Sequence, residues 1–279
     1  MPQKKSESSQ SQSLAPIPTY NKFFEEVSAL FYERDWEFNQ LRYAILIGEH
    51  VLLKGVPGTA KSMISKKIFE GFQGARVYEA QFTRMMDESY LFGVQLLDEF
   101  KKGNIRHKLN EFKKGNIRHN TKDSIVDAHF ARLDEFFNAS EETLVSTLEI
   151  LNERTFTRGA QVEQSPLIAA VMTTNQEREG EKELRAVYDR ILFKSEVSDL
   201  AESKNRISMY CDYLEGKTDS FQPVISFAVF QKLREDFNNF APTISESVLF
   251  VYDSVVSEYE VQNSIQISPR KKNKMLKIM

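Results

Sequence analysis

The sequence predicts an α/β chain in which a parallel sheet carries helices on both faces and a smaller, purely helical part comes after it. Strand-length apolar runs at Val51 to Lys54, Leu167 to Thr173 and Ile191 to Val197 alternate with stretches of helical spacing, which is the pattern of successive βαβ units. Beyond Asp199 the strand-like runs stop and helical periodicity alone continues, so a boundary is expected near residues 198 to 203. A length of 279 residues with 41% hydrophobic content allows one large domain and a smaller one.

Residues 1 to 20 are rich in Ser, Gln, Lys and Pro and read as a disordered tail without the apolar segment of a secretion signal. Lys22 to Leu46 has helical spacing and leads into the strand at Val51. Met63 to Phe72 continues as a helix that stops near Gly71 and Gly74, and Ala75 to Ala80 alternates like a strand. Asp127 to Glu135 is expected to be a third strand, although His129 and Arg132 are polar for a central position. A helix over Glu141 to Leu151 comes next. The resulting division is a tail over 1–20, an α/β core over 21–198 and a helical part over 199–279. Between core strands, Glu99 to His107 recurs unchanged as Glu111 to His119, each copy with a Gly-Asn centre suited to a hairpin turn.

A net charge of −3 provides no global basic field, so composition does not point to nucleic acid. The single cysteine, Cys211, cannot form an internal disulfide, and its helix-like apolar setting suggests packing. No apolar run approaches the ~20 residues that span a bilayer. A reducing cytoplasm is the expected compartment. The four histidines lack zinc-site spacing.

The chemistry begins after the strand at Val51. Gly55-Val56-Pro57-Gly58-Thr59-Ala60-Lys61-Ser62 reads as a turn that enters a helix. Backbone N–H groups around Gly58 to Lys61 would curl around a triphosphate at the positive end of that helix. Lys61 would reach the β- and γ-phosphates, and Ser62 would ligate Mg²⁺. Ala60 stands where the common pattern has glycine. Leu133-Asp134-Glu135 ends a strand in two acids: Asp134 beside the Mg²⁺, Glu135 able to orient and deprotonate water. Ala169 to Asn175 is an apolar strand that delivers an amide, Asn175, which could hold the lytic water.

These motifs, in this order, resemble the MoxR branch of the AAA+ ATPases, and within it RavA-like proteins, from about Phe31 to Lys272. Alanine at 60 is usual in that branch. Tyr32-Glu33-Arg34 before the core, Leu148 to Arg154 after the acids and the hairpin Thr155 to Val162 also match. The resemblance implies a P-loop core with a helix-2 insert, a projecting hairpin, where the duplicated segment falls, and a helical lid. It implies Asp134 and Glu135 as Walker B, Asn175 as sensor 1, Arg190 as an arginine finger offered to a neighbouring subunit, and Arg270 as sensor 2. ATP and Mg²⁺ are the implied cofactors, a hexameric ring the implied assembly, and a von Willebrand factor A domain protein and a protein client the implied partners. Only nine residues come after Arg270, where the family's lid continues, so a shortened lid is expected. The expected activity is ATP hydrolysis that remodels a client; the alternatives are a nucleotide-binding scaffold with impaired turnover and a small-molecule P-loop kinase.

Overall fold

The computed structural model describes residues 16–94, 119–159, 161–176, 184–216, 222–240 and 243–276. Helices α1 (Pro16–Ser28) and α2 (Asp35–Ile47) precede the central strand β1 (Val51–Lys54), and α3 (Lys61–Gly71) succeeds it. Then come β2 (Phe72–Gln73), β3 (Val77–Gln81), α4 (Glu88–Phe92), β4 (Phe130–Asp134), α5 (Glu141–Glu153), the hairpin β5 (Thr155–Arg158) and β6 (Gln161–Gln164), β7 (Ala169–Thr174), α6 (Arg185–Arg190) and β8 (Phe193–Glu196). The C-terminal part holds α7 (Ser203–Leu214), β9 (Ile225–Ser226), α8 (Phe227–Asn239), α9 (Glu246–Asn263) and α10 (Pro269–Leu276).

Five strands form one sheet in the order β3-β4-β7-β1-β8, every neighbouring pair parallel. All six residues of β7 are buried, as a strand covered on both faces requires. Alternation along the strands divides the core in two. Val51, Leu53, Phe130 and Val171 face one cluster with α1, α2 and α3. Leu52, Ala131, Leu133, Ala170 and Met172 face another with α4, α5 and α6. Local signals set the helix ends: the Ser140 side chain accepts from Thr143 N at 3.3 Å, and Glu141 and Glu142 occupy the first turn of α5.

Several sequence expectations need correction. Helix α1 starts at Pro16, inside the expected tail, because Tyr20 is buried against Phe24 and Phe230 and donates its hydroxyl to Arg42 O at 2.7 Å. The C-terminal part is not purely helical: Ile225 and Ser226 pair in parallel with Phe72 and Gln73. Helix α8 then inserts Phe227, Phe230 and Leu233 into the same cluster as Phe23, Phe72 and Phe130, so this portion shares the core of the sheet domain. Cys211 is exposed rather than packed, on a helix with no buried residue. His129 precedes β4, stacks on Phe227 at 4.3 Å and accepts from Arg76 N, which accounts for its polarity. The duplicated segment lies outside the described residues except His119, which is buried, donates Nδ1–H to Gly93 O at 2.9 Å and is bracketed on its backbone by the Gln161 amide.

At the amino ends of the strands, His50 is 2% exposed. Its Nδ1 accepts from Ala170 N at 2.9 Å, Nε2 donates to Leu151 O, and Arg154 Nη1 lies 2.7 Å away. Arg154 Nη2 also donates to Gly48 O and Ile168 O. Burial, and then the Arg154 charge, push the His50 imidazole well below its usual value, and burial brings Arg154 down to about 10.

Stability should respond to both pH and loop geometry. The unfolded chain binds a proton at His50 near the ordinary imidazole value while the folded chain resists it, so the unfolded state holds more protons as pH falls. Stability should drop below about pH 6.5 with a slope of up to ~1.4 kcal/mol per unit from this residue. Urea denaturation between pH 8 and 5 will test this, with His50→Asn expected to have a lower plateau and a flatter acid limb. Ala60 caps α3 in the left-handed region at φ 66°, where a side chain costs on the order of 1 kcal/mol. Ala60→Gly should therefore raise the thermal midpoint by a degree or more, after glycine's own entropy cost.

Candidate active site

The carboxyl end of β1 runs into the loop Gly55 to Ala60. Gly55 N–H donates to Thr174 O at 3.1 Å and Val197 N–H to Lys54 O at 2.6 Å, so both flanking strands grip the loop's start. A Cβ on Gly55 would lie 2.2 Å from Val197 O, which excludes any side chain. Gly58 turns the loop at φ 88°. Thr59 Oγ1 donates to Val56 O at 2.9 Å, and Lys61 Nζ donates to Gly55 O and Val56 O, each at 2.7 Å. Lys61 is 6% exposed; burial lowers its pKa, while the charges of Glu135 and Asp134 push it back up. Val56, Pro57, Gly58 and Ser62 are exposed along the loop's outer side. Among the described residues no side chain caps the amino end of α3, so its first-turn N–H groups are left without a side-chain acceptor, and a helix start of this kind can accept an anion.

The acids sit at the end of β4, on the face that carries Phe130, Arg132 and Asp134 at alternate positions toward the α3 layer. Thr173, on the neighbouring strand, bridges both acids: its Oγ1 donates to Asp134 Oδ1 at 3.0 Å and accepts from Glu135 N at 3.3 Å. Glu135 adopts a left-handed conformation, φ 54°, which turns it out of the strand. Asn175, exposed past the end of β7, donates its amide to Glu135 Oε1. Thus the loop and Lys61 hang from β1, while Asp134, Glu135 and Asn175 project from β4 and β7. Sequence reasoning missed Thr173; its only signal was a hydroxyl two residues before Asn175, meaningful once the strand register is known.

A cavity of about 450 Å³ adjoins the loop, lined among others by Phe31, Tyr32, Ala60, Met63, Met209 and Tyr210. Tyr32, Glu33 and Arg34 fasten its rim. The Tyr32 hydroxyl donates to Asp212 Oδ2 at 2.6 Å, and Arg34 Nη2 to Ser198 O at 2.6 Å. Glu33 accepts from Asn205 Nδ2, Glu202 N and Ala201 N, bonds that hold its carboxyl below the usual range. The cavity's methionines and Tyr210 were not singled out from the sequence, because they come from two helices far apart in the chain.

Arg190 is the half-buried last residue of α6, and Arg270 is the exposed second residue of α10. Ser268, the residue before α10, donates its Oγ to Asp189 Oδ2 of α6 at 3.1 Å. Helix α10 is also anchored to the start of β1 by Lys274 Nζ and the buried Glu49, 2.6 Å apart. Among the described residues no hydrogen bond joins Arg270 to the loop or the acids. No group of three or more His, Cys, Asp or Glu gathers for a metal among the described residues. Asp134 and Ser62 carry oxygen donors, a carboxylate and a hydroxyl, of the kind a hard cation takes.

A family model described as the MoxR domain in the MoxR-vWA-beta-propeller ternary systems matches residues 19–234. An uncharacterized protein of Methanocaldococcus jannaschii is 30% identical over 92% of this chain and 62% of its own length; a second from that organism is 33% identical over 66% and 46%. Chaperone MoxR1 of Mycobacterium tuberculosis is 26% identical over 70% of this chain and 48% of its own. The chain thus spans about half to three fifths of the length of these relatives. A crystal structure of a Cytophaga hutchinsonii protein described as a candidate ATPase superposes with a TM-score of 0.72 at 22% identity, covering 97% of this chain and 81% of that one, and supports the fold. With a family model that covers most of its length, the chain belongs to the MoxR family of AAA+ ATPases.

Proposed function

We propose that this chain hydrolyses ATP with Mg²⁺ at the interfaces of a ring, a hexamer, and uses the cycle to remodel a protein client. The observation that carries the reading is the Thr173 bridge, which fixes Asp134 and Glu135 at the carboxyl edge of the same sheet that suspends Lys61. Ser62 and Asp134 would hold the cation, which neutralises charge on the phosphates when bound. Lys61 would exchange its loop carbonyls for phosphate oxygens, and the Gly58 to Lys61 N–H groups would complete the cradle. Glu135 would accept the proton of the attacking water, with Asn175 orienting that water. The base would enter the cavity beneath Tyr32 and Met209, where Tyr32, Glu33 and Arg34 tie core to lid.

Arg190 is read as the finger a neighbouring subunit supplies, and Arg270 as the lid's sensor. A von Willebrand factor A partner is suggested by the description of the matching family model, and client remodelling by the name of the mycobacterial relative. The RavA-like placement rests on motif order. A cytoplasmic location rests on the lone Cys211; no described helix is long and apolar enough to cross a membrane.

ATP turnover and mass by size exclusion, measured with nucleotide, test this reading. Lys61→Ala should lose nucleotide binding. Glu135→Gln should retain it while turnover falls by about 10²- to 10⁴-fold. Arg190→Ala should lose on the order of 10³-fold, and mixing it with Lys61→Ala should restore part of the activity, because the finger of one then serves the intact site of the other. A wild-type chain that binds ATP but neither assembles nor turns it over would favour the scaffold reading.

A further inference from the structure

Arg132 is the residue the nucleotide site leaves unexplained. It interrupts β4, a strand otherwise apolar up to Asp134 and covered on both faces, where a guanidinium needs a partner to offset its desolvation. The register supplies one: Glu79 on edge strand β3 lies directly opposite, and its Oε2 accepts from Arg132 Nη2 at 2.7 Å. That pair would satisfy a structural arginine. The guanidinium nevertheless reaches further, with Nε 3.6 Å from Asp134 Oδ2. This nitrogen is shut off from solvent and has no hydrogen-bond partner among the described residues, so it acts on Asp134 through charge rather than through a hydrogen bond. The other carboxylate oxygen, Oδ1, is already taken by Thr173. The two oxygens of Asp134 therefore meet different groups, and Oδ2 faces a fixed cation.

We propose that Arg132 is a positioning residue for the divalent cation: anchored by Glu79, its guanidinium competes with the cation for Asp134 Oδ2. The Glu79–Arg132 pair thereby sets how tightly this site holds its metal. The inference rests on Asp134 as a cation ligand. Glu79 is the more exposed partner, at 44% against 16% for Arg132, so a change at Glu79 alters the pair with little effect on the core.

Mn²⁺ titrated into the full chain with a non-hydrolysable ATP analogue, with free Mn²⁺ read by electron paramagnetic resonance, tests it. Removing a like charge beside the ligand should let Arg132→Gln bind Mn²⁺ about tenfold more tightly. Arg132→Lys should stay near wild type, and Glu79→Gln should bind several-fold more weakly because Arg132 then turns wholly to Asp134. Asp134→Asn is the control; if it binds Mn²⁺ as wild type does, the ligand assignment itself fails. If Asp134→Asn loses Mn²⁺ while Arg132→Gln matches or falls below wild type, the competition is overturned. Should Arg132→Gln fail to fold by circular dichroism, an unchanged Mn²⁺ affinity in Glu79→Gln overturns it equally.

Discussion

At the carboxyl end of β1 the chain passes so close to Val197 that position 55 has room for a hydrogen alone. Gly55 donates to β7 through Thr174 O, and Lys54 accepts from Val197 just past β8, so the loop begins as an extension of the sheet rather than as a free segment. The rest of the loop is referred to this fixed start. Thr59 and Lys61 fold back onto the carbonyls of Gly55 and Val56, which transmits the position of β1 to the first turn of α3. Backbone placed this way needs little reordering to accept an anion, the condition for electrostatic preorganisation.

A second constraint joins the sheet to both ends of the chain. Aromatic rings from α1, α3, β2, β4 and α8 pack together around Phe72, Phe130 and Phe230. Burial of each such ring contributes roughly 1.5–3 kcal/mol. The first helix and the helical C-terminal part are thus held to the sheet by one apolar cluster. Beside the Gly55 to Ala60 loop, the segment after the first helix and α7 meet through polar bonds, Tyr32 to Asp212 and Glu33 to Asn205. Tyr32 and Asp212 of this polar latch line the cavity beside the loop.

Charge is arranged with equal economy. Asp134 is bounded by a hydroxyl and a guanidinium, Glu135 by an amide, and Lys61 by carbonyls. None of these three groups is left as an uncompensated buried charge, which would cost several kcal/mol. Each contact is also one that a ligand of opposite demand can replace.

Most strands were legible because their apolar runs and spacing are local properties, and the loop, the acid pair and Asn175 were legible because each lies within a few residues of a strand end. The start of α1 was misjudged: Pro16 to Tyr20 carries two prolines and adjoins a Ser- and Gln-rich stretch, and the burial of Tyr20 depends on partners as remote as Phe230, more than two hundred residues on. Cys211 failed the opposite way, since an apolar periodicity says that a face exists but not that anything covers it. Arg132 seemed to weaken the strand until register put Glu79 across from it. The amino-acid sequence by itself determined the βαβ order and the residue types at each strand end, because side-chain period and turn chemistry act over a few residues. The tertiary structure alone decided that Thr173 joins the two acids, that α8 completes the core and that Arg132 faces Asp134, because these depend on which strands become neighbours and in what register.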